Sequence, residues 1–239
     1  MSGQELALLV HRLIDLKPDL VIAYDGGNDL FEPWGYDPRP GYPFNYLVEE
    51  EAMDTLASKA GDAKTIASLL RDSALVQAIL GISSWWDRVS IRLAKLRGEV
   101  NYGGASWKQA VMNAYVRNIR AMCRVARSNG ELFAAFFQPM LAYSKTLDSA
   151  QLAASGGDDM VRSMREQRNM VASILAAEFS APSVEPGCRF DDLSGLLEDR
   201  PAAFGDLIHV DAEANEAIGR RIADELLAWS AFRSNGAAR

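Results

Sequence analysis

Apolar residues fall into two kinds of run along this chain. Leu6, Leu9, Val10, Leu13 and Leu16 recur three and four apart, which predicts a helix over 4–16. Ser2 with Glu5 three residues on has the capping-box pattern, and Lys17-Pro18 ends the helix. The next run, Asp19-Leu20-Val21-Ile22-Ala23-Tyr24, is short, continuous and β-branched, as in a buried strand of a parallel sheet. Residues 132–137 form a second such run, closing at Gln138-Pro139. Longer helices are predicted over 106–128 and 211–229, and over 148–178 with a break at Ser155-Gly156-Gly157. Asn129-Gly130 ends the first of these. Residues 47–100 read as helices in pieces (47–59, 63–80 and 84–98), and Gly103-Gly104 breaks the pattern. Residues 31–46 read as a loop carrying Pro33, Pro38, Pro40 and Pro43 among six aromatic residues. A short strand is expected near Cys188-Arg189-Phe190. Strands alternating with helices predict an α/β fold around a parallel sheet.

Composition narrows the function classes. At ~150 residues per domain, 239 residues read as one domain over 1–239, with a helical insertion at about 47–100. A net charge of -7 argues against a nucleic-acid partner, which normally meets a basic surface. Two cysteines and two histidines leave no disulfide scaffold, no Cys-rich zinc site and no multi-histidine metal centre, so neither metal nor cofactor is expected. Nothing in the sequence suggests that Cys123, in a helix, pairs with Cys188, in a loop. Glu5, His11, Arg12 and Asp15 interrupt the first segment, and no run approaches the ~20 apolar residues of a membrane span. The chain as written therefore reads as cytoplasmic by default, unless a leader or anchor precedes Met1.

Two polar signatures carry candidate chemistry. Gly26-Gly27-Asn28-Asp29 follows the first strand at its carboxyl end, the edge where open α/β sheets bind ligands. Asp206-Leu207-Ile208-His209 lies just before the last helix. A histidine can take and return a proton near neutral pH, and a carboxylate on its other nitrogen fixes its tautomer. Together, in this order and on these elements, the two signatures resemble the SGNH (GDSL-type) hydrolase family. The stretch 16–29 looks like that family's third block, and 206–219 looks like its fifth block with the adjoining helix.

The resemblance implies a three-layer, flavodoxin-like parallel sheet and serine-dependent hydrolysis of an ester: a small-molecule ester, a lipid-like ester or an O-acyl carbohydrate. It implies that Asp206 orients, that His209 is base and then acid, and that Asn28 donates to the oxyanion. Gly26 and Gly27 would let backbone pass close to substrate. The family's nucleophilic serine and a second oxyanion glycine belong to two blocks ahead of the third. Only 25 residues precede Gly26 and none matches either block, so no nucleophile is assigned. Ser2 reads as a helix cap, and Ser155-Gly156-Gly157-Asp158 follows no strand. The sheet would lack its first two strands, and 20–24 would become an apolar edge open to self-association. The expected function is an SGNH-type ester hydrolase domain, truncated and inactive as written. The rival is a non-catalytic binding or scaffold protein that keeps the crevice. The loop 31–46 is either a lid or sugar platform, or a loop packed on its own side chains.

Overall fold

The β-branched run 20–25 and the all-apolar run 132–137 pair as neighbours in one parallel sheet. A computed structural model describes residues 1–61, 82–180 and 187–232. The chain folds as two compact units, residues 1–31 with 108–239, and residues 32–107. The helix expected over 63–80 lies outside the described residues.

In the first unit, α1 (Ser2–Leu8) continues through a π-helical turn at Leu9–Leu13 and a 3-10 turn at Ile14–Leu16. Then come β1 (Leu20–Asp25), the start of α2 (Gly27–Gly35), most of α5 (Ala105–Ser128) and β2 (Leu132–Phe137). They are followed by α6 (Ser149–Ala154), α7 (Asp158–Ser180), β3 (Cys188–Asp192) and α8 (Ala212–Ala228). Gly156 and Gly157, both at positive φ, separate α6 from α7. The sheet has three parallel strands in the order β1-β2-β3.

Helices cover both faces, which explains the continuous apolar run of β2, buried at all six positions. On one face Tyr115 of α5 meets Phe137, and Phe179 of α7 meets Phe190. On the other, Leu226 of α8 packs with Ala134, Phe136 and Leu193. That second face is covered unevenly. Leu20 reaches the α8 cluster, but Ile22 and Tyr24 remain 47% and 38% exposed. β1 is thus an edge strand with one half-open face rather than a strand buried on both sides.

Cys123 and Cys188 form a disulfide, which corrects the expectation that they do not pair. They are 65 residues apart in sequence, yet Cys123 lies on the buried side of α5 and Cys188 opens β3, with their Cα atoms 5.9 Å apart. The closeness comes from packing a helix over the sheet, and no local spacing encodes it.

The second unit holds α3 (Tyr46–Gly61) and α4 (Ile82–Glu99). α2 runs on to Gly35 with Pro33 inside it, where 31–46 had read wholly as loop. Pro33 forgoes one backbone bond near the end of a short helix, a position where the loss disturbs little beyond it. Trp107 is buried, donates its indole N–H to the Pro38 carbonyl at 2.6 Å, and stands edge-on to Trp34 at 4.7 Å. Part of the aromatic loop is therefore the core of this unit.

Candidate functional site

The turn after β1 is tightly packed against the chain that leaves β2. Gly26 has φ +102, and a Cβ there would lie 2.2 Å from the Phe137 ring. A Cβ on Gly27 would lie 2.6 Å from the Gln138 side-chain amide. Glycine is required at 26, where φ is positive and the Phe137 ring presses on the turn, whereas at 27 the obstacle is the movable end of the Gln138 side chain. Asn28 comes next, in the first turn of α2, half-buried, and its side chain bonds to none of the described residues.

The loop before α8 is organised by Asp206. Its Oδ1 accepts the backbone N–H groups of Ile208 and His209 at 2.9 and 2.8 Å, and its Oδ2 lies 2.7 Å from His209 Nδ1. With Nδ1–H donated to Asp206, Nε2 is left as the basic nitrogen. Partial burial pushes the Asp206 carboxyl up, but the two N–H donors and the imidazole outweigh it and hold the group at about 2. The pair is open to solvent, with the His209 side chain 80% exposed. Asp211 then caps α8 by accepting the Ala214 N–H at 2.7 Å.

Both polar segments border the chain that leaves β2. Gly27 abuts Gln138 and Met140, and Leu141 donates its N–H to the Leu207 carbonyl at 2.9 Å. Phe31 and Ile208 pack on the same cluster of Met140, Ala142, Tyr143, Val161 and Met164. The carboxyl end of the sheet therefore carries Gly26, Gly27 and Asn28 beside β2. It carries Asp206 and His209 on a loop bonded to the segment just past β2.

Beneath the Gly26 turn lies a buried polar cluster that the sequence reading missed. Asp25 is buried and accepts the Tyr115 hydroxyl proton at 2.9 Å. Burial holds its carboxyl well above the ordinary range, and the neighbouring Glu5 and Asp29 push the same way. Ser2 is wholly buried and bonds Asp29 through both its N–H and its hydroxyl. It is the first residue of α1, not a cap, and Met1 takes the cap position without a side-chain bond. The signal was the strand alternation, which sends Val21, Ala23 and Asp25 to one face.

Among the described residues no group of three or more His, Cys, Asp or Glu side chains is arranged to hold a metal ion, and no helix is long and apolar enough to cross a membrane. No family model, curated protein or solved structure matches this chain.

Proposed function

We propose that the first unit is an ester hydrolase domain of the SGNH type, with Asp206 and His209 as its acid–base pair and no nucleophile assigned among its described residues. The 2.7 Å contact between His209 Nδ1 and Asp206 Oδ2 carries this reading. It leaves a basic Nε2 facing solvent, ready to take a hydroxyl proton and return it to a leaving group. The Asn28 amide, bonded to no described residue, would donate to the oxyanion, a contribution of ~3–4 kcal/mol in such sites. The strand order β1-β2-β3 is compatible with the second half of a flavodoxin-like sheet. The substrate class is a small-molecule or carbohydrate ester, and the open edge of β1 is a surface for self-association.

A non-catalytic binding role is the second reading, favoured by the burial of Ser2 and its bonds to Asp29. That removes the serine nearest the Gly26 turn in sequence from any attack on substrate. A fluorophosphonate probe and p-nitrophenyl acetate test the absence of a nucleophile: the purified chain should be neither labelled nor active. Labelling or turnover that disappears in His209→Ala would overturn it. Two-bond nitrogen–proton correlation spectra test the pair itself. They should show His209 as the Nδ1–H tautomer in the native chain, with that preference lost in Asp206→Asn. An Nε2–H tautomer in the native chain would remove the proposed base.

A further inference from the structure

Residues 36–46 of the second unit present four aromatic rings to water. Tyr36, Tyr42, Phe44 and Tyr46 are each 36–47% exposed, although three prolines and the helix pair α3–α4 hold the segment in place. Arg39 is the anchor. It bonds Asp37 through Nε at 2.9 Å and Nη2 at 2.6 Å, and reaches both carboxylate oxygens of Glu50 on α3 at 3.2 and 2.8 Å. Glu50 in turn meets Arg92 of α4 at 3.0 Å. The Arg39 guanidinium also sits 3.9 Å from the centre of the Tyr42 ring.

The four rings pack in two pairs without burying one another. Tyr36 packs edge to face with Phe44 at 5.4 Å and Tyr42 with Tyr46 at 5.5 Å, and Arg39 lies over one face of Tyr42, yet more than a third of each ring residue stays in water. Rigid aromatic area left exposed in this way marks an interaction surface. We propose that this segment is a binding platform for a neutral oligosaccharide. A pyranose ring has a C–H face that lies on an aromatic ring and hydroxyls that bond the tips of three tyrosines. Charge decides against an anionic bilayer: Arg39, the cation within the segment, is balanced by Asp37 and Glu50, so it offers no positive surface. Nor does Asp37 serve to select a basic peptide, since it is buried under Arg39. Immobilising the platform in advance lowers the ordering cost of binding. The proposal does not depend on the hydrolytic reading of the first unit.

The test is calorimetric and NMR titration of the full chain with cellohexaose, xylohexaose, maltohexaose and chitohexaose. At least one should bind, with affinity unchanged between low and high salt. Phe44→Ala and Tyr42→Ala should each weaken binding about tenfold, the scale of one aromatic contact. Phe44→Tyr should keep it, and all three variants should retain the native far-ultraviolet circular dichroism. Binding of no hexaose overturns the proposal, as does binding that neither alanine variant alters. Preference for decaproline or for phosphatidylcholine vesicles over every hexaose overturns it too.

Discussion

Ser2 and Asp29 are joined twice: the Ser2 N–H donates to Oδ2 at 2.9 Å and the hydroxyl donates to Oδ1 at 2.5 Å. The Asn118 amide donates to that hydroxyl at 3.0 Å, so one buried serine ties α1, α2 and α5 together. Ser2→Ala leaves a buried carboxylate oxygen short of a donor, and the expected cost is about 1–3 kcal/mol. Urea unfolding of the variant checks this. A loss within about 0.5 kcal/mol, the range of ordinary surface substitutions, would show that the link contributes little.

Asp25 sets a pH dependence of definite sign. Burial first, then Glu5 and Asp29, raise its folded pKa well above the ordinary value, and the Tyr115 hydroxyl only partly opposes them. The unfolded chain gives up this proton at a lower pH, near ~3.9. The contribution of Asp25 to stability is therefore full below about pH 4 and is lost as pH rises toward the folded pKa. Asp25→Asn keeps an acceptor for Tyr115 and cannot ionise. Its stability relative to the native chain should rise as pH increases above about 4. Parallel stability curves for the two proteins would overturn this. Asp206 acts oppositely, since its pKa of about 2 lends stability above the unfolded value that is lost as pH falls. Its exposure makes that effect small.

The parts of the fold written in local chemistry were legible, and those made by packing were not. The β-branched run ending in Gly26-Gly27 and the unbroken run at 132–137 each announce a strand by composition alone. Asp206 and His209 were readable as a pair because three residues of loop suffice to bring them together. Asp25 and Tyr115 are 90 residues apart, and Ser2 and Asp29 are 27 apart, so no window of sequence contains either contact. α2 as a whole was illegible: Gly26-Gly27-Asn28-Asp29 reads as a turn and Pro33 as a breaker, yet a helix runs over Gly27–Gly35.

The Cys123–Cys188 bond closes a long loop through α6 and α7. In the chain-entropy account, cross-linking across 65 residues restricts the unfolded ensemble by about 4 kcal/mol. Reductant, or the double substitution Cys123→Ser with Cys188→Ser, should lower the urea midpoint accordingly. Mass spectrometry after alkylation of the unreduced, denatured chain checks the bond directly. Two alkylated cysteines would overturn it, and none is expected from protein made in an oxidising compartment.

The half-open face of β1 makes the final prediction. Leu20, Ile22 and Tyr24 point to that face, and no Pro or Lys lies within the strand to discourage pairing. Antiparallel pairing of β1 with β1 of a second copy, centred on Ile22, sets Ile22 opposite Ile22 and Leu20 opposite Tyr24. These contacts then fall on the side that α8 leaves partly uncovered, where cross-strand apolar pairs add about 0.2–1 kcal/mol each. Light scattering should give twice the 26.2 kDa chain mass at high concentration, falling to one copy on dilution. Ile22→Lys should give a monomer at every concentration, because the pairing would place two ammonium groups face to face. A native chain that stays monomeric, or an Ile22→Lys variant as dimeric as the native protein, would show that β1 is not the contact.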